Sequence, residues 1–262
     1  MADPPATYGV TQRRSLADDL DLHVEELERI GYTVVPDALP SAVIDDLRIR
    51  IDRLAQDQAA GETVGPDADV LRCPLAADRA FLAAATAPAV LQVARRALGE
   101  NLVLLQQNGI VNRPKARHVQ ARWHRDLPYQ HFVGTQALAV NALLCIDDFH
   151  PDTGATLVLP GSHRHEAFPS DRFVADHQLG MVAPAGSVIM MDAMLYHCAG
   201  ANISPRPRRA VNHLIGRPLL AQQIDIPRLL DGEFAEDPVL GPYLGYRWNP
   251  ASDIAAWRNA RS

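Results

Sequence analysis

The stretch RWHRD, residues 122–126, places a histidine and a carboxylate two positions apart, at His124 and Asp126. Side chains two apart on a strand point to the same face of a sheet. An imidazole beside a carboxylate supplies two of the three ligands of a 2-His-1-carboxylate site, which leaves positions on Fe(II) open for an oxidant and a cosubstrate. The spacing therefore predicts part of such a site, although a surface ion pair between the two side chains also fits it.

A second cluster, residues 191–213, contains the other groups that such a site needs. His197 lies just past the apolar run SVIMMD, and Arg208 stands at the start of the next predicted strand. Arginine suits the far carboxylate of 2-oxoglutarate because its planar fork makes two parallel hydrogen bonds. Arg209 competes for this role. Adjacent strand residues face opposite sides of a sheet, and the spacing favours Arg208.

Three segments together resemble the phytanoyl-CoA dioxygenase family of Fe(II)/2-oxoglutarate oxygenases: WHRD, CIDDFHPDTGATLVLPGSH and HCAGANISPRPRRA. The segment GYTVVPDALP also resembles the family's N-terminal strand, so the resemblance covers residues 31 to about 217. It implies that His124, Asp126 and His197 bind iron and that Arg208 anchors 2-oxoglutarate, with O2 as the oxidant. The implied reaction is hydroxylation or another oxidation of a small molecule, with release of succinate and CO2.

The resemblance also bears on the choice of reaction. Related halogenases lack the carboxylate ligand so that chloride can coordinate, and the presence of Asp126 therefore favours oxygenation. One departure from the family pattern is Ala199, where a serine is often found two residues after the distal histidine. A hydroxyl contact to the cosubstrate is therefore expected to be missing or replaced.

Gln107 and Arg122 are further candidates for the 2-oxoglutarate pocket, because they lie on the two predicted strands leading into the metal motif. Arg122 would share the strand face of His124. Four other residues near the motifs are weaker candidates. The resemblance makes the PGSH turn, which contains His163 and precedes His165, structural. His131, seven residues beyond His124, could line the site or form part of an aromatic-like wall, and Cys198 fits a buried apolar group better than a thiolate ligand.

The elements that position these residues fall into two regions of one predicted domain, residues 1–262. Residues 15–99 are mainly helical, with apolar residues at helical spacing after Ser15 and Ser41 as caps and Pro88 in a first turn. Residues 100–217 alternate short apolar runs, HVQARWHRD among them, with turn signals, and residues 218–262 are predicted to wrap irregularly over the core. These patterns predict a mainly β domain with supporting N-terminal helices, and the family resemblance implies that the β part is a double-stranded β-helix (a jelly-roll, cupin-like barrel).

Composition excludes several classes of protein. A net charge of −6 gives no general reason to bind nucleic acid or an anionic membrane. No apolar run approaches the ~20 residues of a spanning helix, and the N-terminus lacks the apolar core of a secretory signal. Three scattered cysteines do not form a disulfide framework. A cytoplasmic protein is therefore expected, and its oligomeric state is left open.

The substrate is predicted only in outline. A basic run at Arg113, Lys115, Arg117, Arg122 and Arg125, with no acid beside it in the sequence, favours an anionic small molecule steered by a positive rim, although a solvated loop fits equally well. Two other functions remain open. A His/His/Asp site also suits a Zn(II) hydrolase, and the barrel could be a non-catalytic metal-binding module.

Overall fold

The computed structural model describes residues 10, 12–61, 67–116, 118–127, 133–248, 250–251 and 253–259. Its strands are β1 (Tyr32–Val35), β2 (Val70–Arg72), β3 (Val103–Asn112), β4 (Ala139–Cys145), β5 (Leu157–Val158), β6 (Leu179–Gly180), β7 (Val188–Asp192), β8 (His197–Cys198) and β9 (Arg208–Gly216). Its α-helices are α1 (Asp19–Arg29), α2 (Ser41–Ala60), α3 (Pro74–Ala77), α4 (Phe81–Ala85), α5 (Pro88–Leu98), α6 (Asp171–His177), α7 (Ile226–Leu229), α8 (Leu240–Leu244) and α9 (Ile254–Asn259).

Two antiparallel sheets form the centre of the molecule. The larger has the strand order β1-β7-β4-β9-β3-β2, and the smaller has the order β6-β5-β8. Isolated bridges, among them His124 with His197 and Phe149 with Ala183, extend the smaller layer. The fold is a double-stranded β-helix, as the resemblance implies.

Side-chain alternation along β9 divides the two faces of the larger sheet. Val211 and Ile215 belong to a core packed against the helices, whereas Ala210 belongs to the core between the two sheets. Arg208 and Asn212 share the parity of Ala210 and therefore face the inside of the barrel. This alternation decides which polar residues of the sheet can reach a site in the barrel.

The N-terminal helices cover the outer face of the larger sheet. Leu47, Ile51 and Val93 are completely buried in this helical core. Helix α1 is capped by Asp18, whose carboxylate accepts a hydrogen bond from the Asp21 amide, so the cap is not the predicted Ser15. The second predicted cap, Ser41, is the first residue of α2 instead. The N-terminal region also supplies β1 and β2, the two edge strands of the larger sheet.

Two predictions of local structure differ from what is found. HVQARWHRD was predicted as a strand, but residues Val119–Ala121 form a 3₁₀ turn and His124 makes a single bridge. The C-terminal segment, predicted to be irregular, contains α7, α8 and α9. The Tyr243 hydroxyl of α8 donates to the carbonyl of Ala85, so this segment packs on the helical core. Within the described ranges, no helix combines the length and hydropathy needed to cross a bilayer.

Candidate metal centre

Main-chain hydrogen bonds bring the three predicted ligands together. His124 and His197 exchange two hydrogen bonds, N to O, at 3.0 and 3.1 Å, across an isolated antiparallel bridge. The amide of Asp126 donates to the carbonyl of Ala193 at 3.1 Å. The two histidines are far apart in the sequence, and this pairing makes them direct neighbours.

The ligand atoms of these residues converge on one point. His124 Nε2 lies 3.7 Å from Asp126 Oδ1, and His197 Nε2 lies 3.6 Å from Asp126 Oδ2. One donor atom from each residue fits within 4.8 Å of the other two. The Nδ1 atoms of His124 and His197 lie 2.7 and 3.0 Å from the carbonyls of Arg122 and Leu195. Those carbonyls select the tautomer that leaves Nε2 free to bind a metal.

Burial favours the neutral imidazole that a metal requires. Desolvation, together with the positive charge that His197 can carry, lowers the pKa of His124 below its ordinary value. The His124 side chain is 27% exposed, whereas His197 is 9% exposed. The centre is therefore open on the His124 side and closed on the His197 side.

A pair of asparagines supports the carboxylate, and sequence reasoning did not identify them. Asn141 Nδ2 donates to Asp126 Oδ2, and Asn212 Nδ2 donates to Asn141 Oδ1 at 3.2 Å. Asn141 lies on β4 and Asn212 on β9, and both are buried. The sequence contains one signal for this pair, since an asparagine lies inside each of the apolar runs AVNALL and AVNHLI. A buried amide requires a hydrogen-bond partner, so both residues were candidates for a polar contact.

An inner cavity of about 400 Å³, including its open mouth, joins the triad to Arg208. Its walls include the apolar side chains of Ile110, Leu143 and Met191, and also Ala199. At Ala199 the wall carries a methyl group in place of the hydroxyl that the family pattern often has. The cavity thus has the three candidate metal ligands, a cation, apolar side chains and the polar side chains of Gln120, Thr156 and Asn212 in one lining.

Arg208 is buried without an acidic partner. Its side chain is 2% exposed, Nη2 donates to the carbonyl of Gly154 at 2.6 Å, and Nε has no hydrogen-bond partner. Its guanidinium lies 4.2 Å from the centre of the Phe149 ring. Burial lowers the pKa of Arg208 to about 10. No carboxylate in the described part of the chain forms an ion pair with it.

Arg209 faces the opposite side of β9 and has a different set of contacts. Nε and Nη2 bind the two carboxylate oxygens of Asp52 at 2.6 and 2.9 Å, and Nη1 binds Asp147 at 2.9 Å. These bonds tie α2 to the edge of the barrel. The structure therefore brings Arg208, and not Arg209, to the cavity.

Gln107 does not reach the cavity, contrary to the expectation for it. Its Oε1 accepts from the Leu75 amide at 2.8 Å, and its Nε2 lies 3.1 Å from both the Phe81 carbonyl and His213 Nε2. A β-bulge between Leu104 and Gln106 shifts the alternation of β3, so Gln107 faces the helices. Its amide completes the helical core instead.

Arg122 lies at the triad but in a different cavity from Arg208. It lines an outer cavity of about 830 Å³, including its open mouth, together with His124, Asp126 and Asn212, and it does not line the inner one. The side chain of Arg122 is exposed. The structure thus separates two arginines that the sequence assigned to one pocket.

The weaker candidates stay outside the centre where they are described. His163 is buried, with Nε2 3.2 Å from the carbonyl of Glu28 at the end of α1, and burial lowers its pKa to about 4. His165 is exposed. Cys198 lines the inner cavity, where burial raises its thiol pKa to about 11. The remaining candidate, His131, lies outside the described residues.

The basic run does not form one positive rim. Arg113 forms an ion pair of 2.6 Å with Asp69, a neighbour that its sequence context did not reveal. Arg125 is buried, with Nε and Nη2 donating to the carbonyls of Met194 and Ser162. Lys115 and Arg122 are the exposed, unpaired cations of the run within the described chain, and Arg117 lies outside it.

The donor set fits Fe(II). Two neutral imidazole nitrogens and one carboxylate are the ligands of a facial triad, and their convergence from one side leaves the opposite positions open. His124, Asp126 and His197 are the residues that would hold the ion. The second contacts of all three, to carbonyls and to Asn141, are of the kind that orients metal ligands.

A family model described as Phytanoyl-CoA dioxygenase (PhyH) matches residues 27–210. This chain belongs to the phytanoyl-CoA dioxygenase family. It is 33% identical over 232 residues to the uncharacterized protein Rv1501 of Mycobacterium tuberculosis, a match covering 84% of each chain. It is also 24% identical over 220 residues to the ectoine dioxygenase of Stutzerimonas stutzeri, covering 71% of this chain and 72% of that one.

Solved structures share the fold. The crystal structure of EctD from S. alaskensis with 2-oxoglutarate and 5-hydroxyectoine aligns with a TM-score of 0.63 at 23% identity, covering 75% of each chain. The epimerase SnoN in complex with Fe3+, alpha ketoglutarate and nogalamycin RO aligns with a TM-score of 0.62 at 20% identity, covering 76% of this chain and 84% of that one. The family to which the chain belongs uses Fe(II), 2-oxoglutarate and O2, so these are the cofactors of an enzyme of this class.

Proposed function

We propose that this protein hydroxylates a small-molecule substrate, with His124, Asp126 and His197 binding Fe(II) and Arg208 binding the far carboxylate of 2-oxoglutarate. The observation that carries the proposal is the buried, acid-free guanidinium of Arg208 in the cavity that the triad lines. A buried cation without a counter-ion is unfavourable, and an anionic cosubstrate removes that cost.

The surroundings of Arg208 suit a dicarboxylate. The Gly154 carbonyl holds Nη2, and the Phe149 ring supports the guanidinium plane at 4.2 Å. Nε has no other partner and is available to a carboxylate oxygen. The guanidinium fork therefore approaches the ligand already oriented, which limits the entropy lost on binding.

When bound, Fe(II) with 2-oxoglutarate and O2 supplies a two-electron oxidation of a C–H bond, with succinate and CO2 as coproducts. The protein contributes ligands, orientation and exclusion of water. Ile110, Leu143 and Met191 place apolar surface in the inner cavity beside the triad, and this surface strengthens the charge contacts of Arg208 and limits the access of water to the reacting groups. The carboxylate of Asp126 supports oxygenation over halogenation, since a halide would need its position.

The alternatives lack a comparable supporting observation. A Zn(II) hydrolase needs three ligands and a water, and it has no use for an unpaired arginine buried in the same cavity. A non-catalytic module has no reason to leave positions on the metal open next to an anion-binding end. Membership of an oxygenase family also supports catalysis.

The test is an anaerobic titration of the protein with Fe(II) and 2-oxoglutarate, following the weak visible charge-transfer band of the chelate. Wild type should develop the band, and His197→Ala should not. Arg208→Ala should require at least ~30-fold more 2-oxoglutarate, because loss of a buried charged contact costs about 2–5 kcal/mol. Arg209→Ala is the matched control, because the same charge is removed from the opposite face of β9.

The variants give different outcomes if the assignment is wrong. A wild-type protein that binds Fe(II) but shows no band would contradict the use of 2-oxoglutarate. If Arg208→Ala kept its affinity for 2-oxoglutarate and Arg209→Ala lost affinity, the proposed anchor would be on the wrong face of β9.

A further inference from the structure

The outer cavity opens beside the metal centre, and arginine and amide side chains make up most of its lining. His124, Asp126 and Asn212 belong to both cavities, so the two spaces meet at the triad. The inner space contains one arginine, Arg208, and two side-chain amides, Gln120 and Asn212. The outer space contains three arginines, Arg72, Arg122 and Arg125, and five side-chain amides. The amide-bearing residues of the outer cavity are Gln106, Asn108, Gln120, Asn212 and Gln223.

Two of the three arginines of the outer cavity, Arg72 and Arg125, already have partners in the protein. Arg125 donates to the carbonyls of Met194, Glu166 and Ser162. Arg72 binds both carboxylate oxygens of Asp67, at 2.7 and 3.2 Å. Arg122 forms no ion pair or side-chain hydrogen bond with any residue of the described chain, and its backbone carbonyl is 2.7 Å from His124 Nδ1. A free guanidinium therefore lies two residues before His124, one of the proposed metal ligands.

The hydrogen bonds of Asp126 and Asn141 determine which way the side-chain amide of Asn212 is oriented. An ionised carboxylate only accepts hydrogen bonds, so Asn141 must present its NH2 group to Asp126. The Oδ1 of Asn141 then accepts from the NH2 group of Asn212. This order leaves Asn212 Oδ1 without a partner, and Asn108 Oδ1, on the neighbouring strand position, also has none.

Both of these acceptors are in buried residues. Asn108 is 3% exposed and Asn212 is 9% exposed, and both side chains line the outer cavity. A buried carbonyl oxygen without a donor is unfavourable unless a ligand or water supplies one. The cavity therefore offers a cation at Arg122 and acceptors for a donor at Asn108 and Asn212.

We propose that the outer cavity binds the substrate to be oxidised. This substrate carries a carboxylate that binds Arg122 and an N–H group that donates a hydrogen bond to the Oδ1 atoms of Asn108 and Asn212. The inference rests on the proposed function, since it places the substrate against an Fe(II) centre whose cosubstrate lies on the other side. A carboxylate is preferred over a phosphate because one free guanidinium matches one negative charge. The charge of Arg72 is already compensated by Asp67.

The assignment differs from the positive rim expected from the sequence. Arg113 is paired with Asp69 and Arg125 is buried among carbonyls, so neither is available to a substrate. Lys115 is exposed but does not line the outer cavity. Within the basic run, Arg122 alone of the described residues combines a free charge with a position at the triad.

The test uses N-acetyl amino acids, which carry both proposed groups. Each is compared with its methyl ester, which lacks the charge, and with the matching O-acetyl hydroxy acid, which lacks the N–H. The probe is added anaerobically to the Fe(II)- and 2-oxoglutarate-loaded protein. Binding is read from perturbation of the charge-transfer band, and succinate release is then measured with O2. The N-acetyl amino acids should perturb the band and stimulate succinate release, their methyl esters should not, and the O-acetyl hydroxy acids should bind more weakly than the N-acetyl amino acids.

Variants assign the contacts. Arg122→Gln should weaken binding of the acid at least ~10-fold while 2-oxoglutarate affinity is unchanged, as expected for loss of a charged hydrogen bond. Lys115→Gln is the matched control and should bind the acid as wild type does. Asn108→Leu should weaken binding of the N-acetyl amino acid and leave the O-acetyl analogue unaffected.

Each failure has a distinct meaning. Absence of the charge-transfer band before any probe is added would contradict the proposed function. A normal band that no acid perturbs, or that esters or phosphate monoesters perturb equally well, would overturn the substrate class alone. Unchanged acid binding in Arg122→Gln would remove Arg122 from the site.

Discussion

The carboxylate of Asp126 is the most heavily shared group of the centre. Its two oxygens face His124 Nε2 and His197 Nε2 at 3.7 and 3.6 Å, and Asn141 donates to it from β4. Asn141 contacts no metal position itself. It holds the carboxylate in one orientation, and it is therefore a positioning residue for the ligand.

Replacement of Asn141 by leucine, which has a similar volume, should weaken the metal site without removing a ligand. Loss of a contact to a ligating carboxylate typically costs about 10–100-fold in metal affinity. We expect Fe(II) affinity to fall by at least ~10-fold in an anaerobic Fe(II) titration of Asn141→Leu. Circular dichroism of the metal-free variant serves as the folding control. An Fe(II) affinity within twofold of wild type in a folded variant would show that Asn141 has only a packing role.

The turn before β5 positions Arg208 from outside its own strand. Gly154 has φ +75°, and its carbonyl accepts from Arg208 Nη2. A Cβ at Gly154 would lie 2.4 Å from Asn112 Nδ2 and 2.7 Å from the carbonyl of Gly200. The turn therefore has no space for a side chain, and Arg208 depends on its exact position.

We expect Gly154→Ala to lower both stability and 2-oxoglutarate affinity, because the turn must move away from Arg208. Gly161→Ala is the matched control. Gly161 has φ +77°, but a Cβ there meets nothing within 4 Å, so that variant incurs only the left-handed backbone cost of about 1–2 kcal/mol. Thermal melts and the 2-oxoglutarate titration separate the two effects. Equal 2-oxoglutarate affinities in both variants would contradict a role for the turn in positioning Arg208.

Two buried histidines connect the helices to the barrel across the whole molecule. His163 lies 3.2 Å from the Glu28 carbonyl at the end of α1, and His213 lies between the Ala142 carbonyl and Gln107. Burial lowers the pKa of each to about 4. Both are therefore neutral in the folded protein at pH 7, and neither belongs to the metal centre.

These histidines should make the protein sensitive to acid. Their folded pKa values lie below the ordinary value near 6.5, so the stabilisation is complete above pH ~6.5 and is lost as the pH falls towards 4. Each should contribute up to about 1.4 kcal/mol per pH unit to the fall in the free energy of unfolding. Urea unfolding at several pH values measures this slope. His163→Asn should reduce the slope, whereas the exposed control His165→Asn should not, and equal slopes in all three proteins would contradict the assignment.

The candidate metal ligands can be recognised in the sequence because few residue types can bind a metal ion. HxD spacing, a distant histidine and the RPRRA segment predict His124, Asp126, His197 and Arg208 as the site residues, and the folded chain brings these four side chains to one cavity. The alternation of side chains along β9 also separated Arg208 from Arg209, since adjacent strand residues face opposite sides. The same pattern of short apolar runs indicated a mainly β domain with helical support, and the double-stranded β-helix came from the family resemblance.

Other features depended on contacts between distant segments. The bulge in β3 turned Gln107 towards the helices, and nothing local in an apolar run marks a bulge. Arg113 forms an ion pair with Asp69, which lies on a separate segment of the chain. The absence of acids near Arg113 in the sequence therefore did not mean that its charge was unpaired. Asn141 and Asn212 became partners only when β4 and β9 paired. Local sequence patterns specify which residue types are present and how they alternate along a strand. Which face of a strand points to the core, and which residues pair across strands, is set by packing between elements that only the folded chain brings together.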